Sequence, residues 1–175
     1  IFLAIANASW IAKRKFALFK FLFFIILLNS ESNTFSSLYK THLTNPNAVC
    51  ANRCVEIDSS KCYREWKQIT YKTPTVSINY LPTGCGGVYY PKGSLDLHLA
   101  LNDKLFMKLC PDADDIWLNV CAFLNSTAIC HTGNFIYYIP VINKNNKTLH
   151  SANVGESGND KKFKLTKDYF INNNN

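Results

Sequence analysis

The sequence lacks the signatures of a nucleic-acid-binding protein. It carries 19 basic and 12 acidic residues, for a formal net charge of +7. No stripe of Lys and Arg alternates with aromatic residues, and no zinc-finger, RNP or helix–turn–helix pattern occurs. Four of the basic residues are Lys13, Arg14, Lys15 and Lys20. Because the rest of the chain is only mildly basic, we predict no nucleic-acid partner.

A regular cysteine framework is also missing. The seven cysteines form an odd set without framework spacing, which favours reduced thiols in a cytosolic setting. Cys50 and Cys54 have the spacing of half a zinc site, but no second close Cys/His pair follows at zinc-finger spacing. The alternative, from a different class, is a secreted or membrane-attached binding domain with disulfides and no catalysis.

No apolar run reaches the about 20 residues that span a bilayer. Residues 1–32 differ in composition from the rest, with basic positions followed by an apolar run from Phe21 to Leu28. Three interpretations stay open for this segment. It is a signal-peptide core, an anchor that makes a peripheral membrane contact through residues 13–28, or sequence unrelated to the domain through truncation or a reading-frame error.

What the chain does have is enough apolar sequence for a core, since 47% of its residues are hydrophobic and 14% are aromatic. From residue 38 the pattern is that of a mixed α/β domain. Three helices are predicted: one that stops at Asn45-Pro46, an apolar one over 116–124 and a terminal one around 160–170. Strands are predicted over 48–57, 77–81, 86–91 and 135–142. The sequence also predicts a polar loop over 59–80 and a polar loop with a short helix over 97–108.

The segment 81–95, LPTGCGGVYYPKGSL, concentrates glycines at one turn. Gly84, Gly86 and Gly87 allow positive φ and let a ligand approach the main chain, whose N–H groups can then hold hydroxyls or phosphates. The same glycines suit a tight strand–turn–strand with no ligand. The spacing matches neither a dinucleotide fingerprint nor a P-loop, so both interpretations stay open.

Three aspartates, Asp112, Asp114 and Asp115, stand just before the predicted helix 116–124. One of them can cap the helix, a contribution of about 1 kcal/mol. A second adjacent acid exceeds what capping requires, and crowded carboxylates in a partly desolvated pocket produce a general base. The D-x-D spacing of Asp112 and Asp114 also suits a divalent metal.

Four blocks in this order resemble part of a known family: NPNAVCANRCVEI, LPTGCGGVYYPKGSL, KLCPDADDIWLN and NKTLHSANVGESGND. They are similar to the C-terminal, acceptor-side half of a bacterial GT-A-type glycosyltransferase, related to the family 2-like enzymes that build surface polysaccharides. The resemblance covers residues 38–170 and leaves 171–175 as a disordered tail. It implies a partial GT-A-like mixed α/β domain that lacks most of the nucleotide-binding half, because residues 1–37 contain no aspartate.

The resemblance also implies a function and a site. Intact relatives are expected to transfer a sugar from a nucleotide-sugar donor to a glycan acceptor by inverting displacement, with a divalent metal (Mg or Mn), in the cytoplasm at the inner face of the membrane. The metal of this chain itself is left unassigned. The implied catalytic residues are Asp114 and Asp115, and the implied substrate-binding residues are Thr83, Gly84, Gly86, Gly87, Tyr89 and Trp117.

Two expectations follow from this assignment. The acid pair and the glycine turn should face the same hollow, where a sugar hydroxyl loses its proton. A base without a metal or another cationic group to neutralise the diphosphate should give little transfer, so the chain is expected to be a truncated piece of low activity, and a folded remnant without activity is a further alternative.

Overall fold

The computed structural model describes residues 33–134, 153–154 and 157–173. Within them the chain forms a mixed α/β domain with two sheets, which confirms the predicted α/β class. Two short 3-10 turns, at Tyr63–Glu65 and Gly84–Gly86, connect these elements. In chain order the elements are α1 (Asn33–Thr44), β1 (Val49–Ala51), β2 (Cys54–Glu56), β3 (Lys67–Gln68), β4 (Thr75–Ser77), β5 (Tyr80–Pro82), β6 (Val88–Tyr89), α2 (Leu97–Ala100), α3 (Asp103–Leu109), α4 (Asp114–Leu124), β7 (Ile129–His131) and α5 (Gly158–Asn173).

The larger sheet has four strands in the order β4-β7-β1-β6. Its central strands β1 and β7 are parallel, and the outer strands β4 and β6 are antiparallel to their neighbours. The second sheet is antiparallel, with the order β3-β2-β5. Strands β1 and β2, which follow each other closely in the chain, therefore belong to different sheets.

The single strand predicted over 48–57 is wrong, because the chain leaves one sheet at Asn52 and enters the other. Asn52 is buried. Its Nδ2 donates to the carbonyls of Gly86 and Thr34, both at 3.2 Å. Its Oδ1 accepts from the hydroxyls of Ser37 at 2.7 Å and Thr132 at 2.6 Å. Four hydrogen bonds from one buried amide compensate for the interrupted strand.

Three further predictions need correction. The polar loop predicted over 59–80 contains a 3-10 turn and strands β3 and β4. The strand predicted over 77–81 is two strands, since the hydroxyl of Ser77 accepts from the Asn79 N–H at 3.0 Å and turns the chain. The loop with one short helix predicted over 97–108 is instead the helix pair α2 and α3. The strand predicted over 135–142, like residues 1–32, lies outside the described residues.

The helix predictions agree better with the structure. Helix α1 ends at Thr44, next to the predicted stop, and α4 begins at the acid pair. Helix α5 covers the predicted 160–170 and continues to Asn173, so the first positions of the tail predicted to be disordered are helical. Within the described part of the chain, no helix combines the length and the apolar character needed to cross a bilayer.

The core lies between the sheets and the helices α3, α4 and α5. Val49, Ala51 and Ile129 point into this main cluster, together with Trp117 and Leu81. The alternate residues of the strands point to the opposite face of the sheet, where Cys50 and Cys130 join Leu38 of α1 in a smaller cluster. All seven cysteines are free thiols, of which only Cys62 and Cys85 are exposed.

Candidate active site

The acid pair occupies the first turn of α4. Asp114 and Asp115 are its first two residues, and Ala113 stands at the N-cap without a side-chain cap. The expectation that an aspartate caps this helix is therefore wrong. Asp112, the remaining candidate, has φ 59 in the turn before the helix. The helix dipole still favours negative charge in the first turn, and the backbone N–H groups of Asp114 and Asp115 stabilise the charged form of Asp114, so only Asp115 is left without a helix-start role.

Helix α4 is fastened to the glycine turn by two side chains on one face. Asp115 Oδ1 accepts a hydrogen bond from the Gly84 N–H at 2.9 Å. One helical turn later, the buried Asn119 donates from Nδ2 to the carbonyl of Tyr80 at 2.8 Å. Residues four apart lie on the same helix face, so α4 binds both β5 and the turn that follows it. One member of the acid pair, Asp115, therefore contacts the glycine turn through a direct hydrogen bond, whereas the shared hollow stays a prediction.

The pair of carboxyl groups is electrostatically unusual. Burial, followed by the negative charge of Asp114, raises the pKa of Asp115 to about 7, although the Gly84 N–H and the charge of Arg53 oppose the shift. Burial also raises the pKa of Asp114. Two neighbouring carboxylates resist simultaneous ionisation and titrate as a unit. At neutral pH the pair therefore exchanges a proton readily, as a general base requires.

A cation lies on the other side of the same turn. Arg53 follows the break at Asn52, and its Nη1 donates to Thr83 Oγ1 at 2.7 Å. Its Nη2 donates to Gln68 Oε1 at 3.4 Å. Both acceptors are neutral, and within the described residues Arg53 forms no ion pair. Arg53 thus acts on the carboxyl of Asp115 through its charge without contacting it.

Two tyrosines and the start of α5 complete the surroundings of Asp115. Burial first, and then the charge of Asp115, raises the pKa of Tyr63 to about 12 and that of Tyr90 well above its ordinary value. The side chain of Asn159 lies near Tyr63 and opposes the rise in its pKa, and the buried Asn159 Oδ1 has no hydrogen-bond partner among the described residues. Asp160 accepts from the Tyr63 N–H at 2.6 Å. Both phenols stay protonated at neutral pH and present O–H groups rather than charge.

The substrate-binding residues predicted from the glycine turn separate into two groups. Thr83 and Gly84 adjoin the charged groups through Arg53 and Asp115, as described above. Gly86 is a packing position, because an added Cβ would lie 2.5 Å from the Cβ of Arg53. Gly87 has φ +82, and an added Cβ would meet side chains of α1. Protein packing and backbone conformation therefore explain Gly86 and Gly87 without a ligand.

The two predicted aromatic contacts do not fit a sugar site beside the acids. Trp117 is only 2% exposed. Its Nε1 donates to the Ala100 carbonyl at 3.2 Å, and its ring packs against Phe106 and Phe170. Tyr89 contacts the smaller cluster on the far face of the sheet. These residues cannot stack on a sugar held at Asp115, and the aromatic residues near that carboxyl are Tyr63 and Tyr90.

Sequence reasoning gave Arg53, Tyr63 and Asn159 no role at the site. Arg53 stands inside an apparently continuous strand pattern, Tyr63 in a segment assigned to a loop, and Asn159 lies 44 positions beyond Asp115 in the chain. Of these three residues, only Arg53 could have been identified from the sequence, because it is a charged residue in the interior of an apolar run. That position indicates a buried charge with a specific purpose.

The described residues do not fit a divalent-metal site. No group of three His, Cys, Asp or Glu side chains within them is arranged to hold an ion. Asp112 is exposed and its backbone turns away from the helix. His131 is buried, and its Nδ1 accepts from the Gly133 N–H at 3.2 Å. Asp112 and Asp114 therefore belong to no cluster of three or more such ligands within the described residues.

A polar depression of about 270 Å³ lies at the opposite end of α4. Helix α4 has 11 residues, so about 16 Å separates this depression from the acid pair. It contains none of the predicted site residues. Its lining is formed by Asn47, Pro91, Lys92, Gly93, Ser94, Asn125, Ser126 and Thr127.

Comparisons of the chain with protein-family models, with curated proteins and with solved structures find no match.

Proposed function

We propose that this chain is the acceptor-side part of a GT-A-type glycosyltransferase whose intact form transfers a sugar from a nucleotide-sugar donor to a surface-glycan acceptor. One observation carries the proposal. The carboxylate of Asp115, with a pKa raised to about 7 beside Asp114, is hydrogen-bonded to Gly84. The two motifs that carry the resemblance to the family therefore meet at a group suited to remove a proton.

The reaction is an inverting displacement. Asp115 accepts the proton of the acceptor hydroxyl while the hydroxyl oxygen attacks the anomeric carbon. The bond from that carbon to the diphosphate oxygen breaks, and its electron pair leaves with the nucleoside diphosphate. Asp114 keeps the basicity of Asp115 high through its negative charge. The Gly84 N–H fixes the orientation of the carboxylate, which reduces the entropy lost on reaching the reactive geometry.

The same proposal covers the metal of the intact enzyme and its location in the cell. The resemblance implies a divalent metal for the intact enzyme, and because the described residues do not form its site, no step above depends on it. We place the enzyme in the cytoplasm, at the membrane that carries the growing glycan, with residues 13–28 as the segment for peripheral contact.

The competing explanation is that Asp115 only tethers the glycine turn. Asp115→Asn separates the two roles, because the amide oxygen can still accept from Gly84 while the base is lost. In the intact form, transfer from a panel of uridine- and guanosine-diphosphate sugars should fall by about a hundredfold or more in this variant. Its thermal midpoint at neutral pH should not fall, because the amide keeps the Gly84 bond and removes a carboxyl whose pKa is raised. Asp103→Asn makes the same chemical change at an exposed first-turn position of α3 and should keep full activity.

Asp114→Asn should lower the pH at which the rate rises, since it removes a charge that raises the pKa of Asp115. Turnover that is unchanged in Asp115→Asn would remove the assignment of the base. Loss of activity together with unfolding in Asp115→Asn would favour the tether.

A further inference from the structure

The guanidinium of Arg53 is held in place without a charged partner among the residues that the structure describes. It is half-buried, and its two hydrogen bonds go to the neutral side chains of Thr83 and Gln68. A guanidinium carries five N–H donors in a rigid fork, so three donors form no hydrogen bond to the described residues. Because the side chain is only half-buried, an anion from solvent can reach these donors and bind them through charge-assisted hydrogen bonds.

The position of this cation is fixed by the glycine turn itself. The backbone N–H of Thr83 donates to the Arg53 carbonyl at 3.0 Å, and the missing side chain of Gly86 leaves the room that Arg53 Cβ occupies. The consecutive residues Thr83 and Gly84 bind Arg53 and Asp115, respectively. One turn thus holds a cation through Thr83 and a carboxylate through Gly84, and the two charged groups form no ion pair with each other.

This separation suits an in-line displacement. The attacking hydroxyl and the leaving group lie on opposite sides of the anomeric carbon, so a base and a leaving-group cation must stand apart. A direct ion pair between Arg53 and Asp115 would lower the pKa of the carboxyl and occupy the guanidinium. The arrangement instead leaves both groups available.

We propose that Arg53 binds the diphosphate of a nucleoside-diphosphate sugar. Resting on the function proposed above, this assigns Arg53 the stabilisation of the leaving group. As the bond from the anomeric carbon to the phosphate oxygen breaks, its electron pair stays on that oxygen, and the forked N–H donors of Arg53 stabilise the new charge. Arg53 is then the protein's own cationic group at the diphosphate.

Binding of inorganic pyrophosphate and of uridine diphosphate, measured by isothermal titration calorimetry at low ionic strength, tests the assignment. The wild-type chain should bind both in the millimolar range or tighter, and Arg53→Gln should weaken both by about tenfold or more. Arg53→Lys keeps the charge but loses the fork, so its affinity should fall between the two. Arg64→Gln, the same change at an exposed arginine, should bind like the wild type.

Three results would overturn the assignment: no binding of pyrophosphate by the wild-type chain, equal affinities in the wild type and Arg53→Gln, or equal losses in Arg53→Gln and Arg64→Gln. Circular dichroism confirms that each variant is folded. If Arg53→Gln does not fold, Arg53→Lys decides, because a purely structural Arg53 predicts unchanged pyrophosphate affinity in any variant that still folds.

These measurements do not require sugar transfer, so the two proposals fail separately. Binding of pyrophosphate that depends on Arg53, without any transfer that depends on Asp115, would keep the diphosphate site and remove the transferase. Sugar transfer that depends on Asp115, together with a pyrophosphate affinity that does not depend on Arg53, would keep the transferase and remove the diphosphate site.

Discussion

Asp115 should make the folded chain less stable as the pH rises towards neutrality. Its pKa in the folded state is raised to about 7, whereas in the unfolded chain it is near 3.9. Between these values the folded state binds more protons than the unfolded state, so the free energy of unfolding falls with increasing pH. The contribution is fully present below about pH 4 and is lost by about pH 7.

The size of this effect follows from the two pKa values. Their difference of about 3 corresponds to about 4 kcal/mol, which is an upper bound. Asp115 is half-buried, so solvent screens part of the effect. Only the range above pH 5 is free of the titration of ordinary carboxyl groups. We therefore expect a loss of about 2 kcal/mol between pH 5 and pH 8 that is due to Asp115.

The assay is urea unfolding followed by tryptophan fluorescence at several pH values, in the wild type and in Asp115→Asn. The variant carries no titrating group at this position and should lack the loss. His131 has its pKa lowered by burial and gives the opposite slope, but it is present in both proteins and cancels in the difference. Asp103→Asn, an exposed position, should keep the wild-type slope.

Parallel stability profiles for the wild type and Asp115→Asn would show that the carboxyl is ionised throughout this range. The acid pair would then be a permanently charged tether of Gly84, and the argument for a general base at position 115 would fail.

Two further predictions concern the packing and the thiols. Gly86→Ala should lower the free energy of unfolding by about 1–3 kcal/mol, because the new Cβ clashes with Arg53 Cβ. Urea unfolding measures this loss. An unchanged urea midpoint would mean that the turn can shift to make room for the methyl group. In chain purified without reductant, a thiol reagent should find two fast thiols, Cys62 and Cys85, in the native state and seven in denaturant. A single reactive thiol in denaturant would instead favour the disulfide-paired binding domain.

The helices were the most predictable part of the fold, because their signals are local. Asn45-Pro46 marks the end of α1, and the apolar run after the acids marks α4. The strands were less predictable, because each has only two or three residues and its sheet is chosen by distant contacts. Asn52 shows the reason, since the side chain that breaks the strand bonds partners 15 to 80 positions away.

The parts of the candidate site that local sequence marks were also predictable, and the parts that depend on distant contacts were not. The acid pair and the glycine turn are recognisable as motifs, and the expectation that they lie close together came from the resemblance. Arg53 and Asn159 reach the site only through the break after β1 and the packing of α5. Trp117 was assigned to substrate through the resemblance, but Ala100, Phe106 and Phe170 cover its side chain, and the sequence alone does not show this packing.

The energetics of the hydrogen bond between Asp115 and Gly84 do not favour a purely structural role for Asp115. An acceptor that serves only to hold a backbone N–H is strongest as a stable carboxylate, and the Gly84 bond and Arg53 both act in that direction. Burial and the adjacent charge of Asp114 outweigh them, so the tether is partly protonated at neutral pH and costs stability there. A neutral amide at position 115 would hold Gly84 without that cost. A carboxyl that costs stability where an amide would hold the turn supports the role in proton transfer that we propose for Asp115.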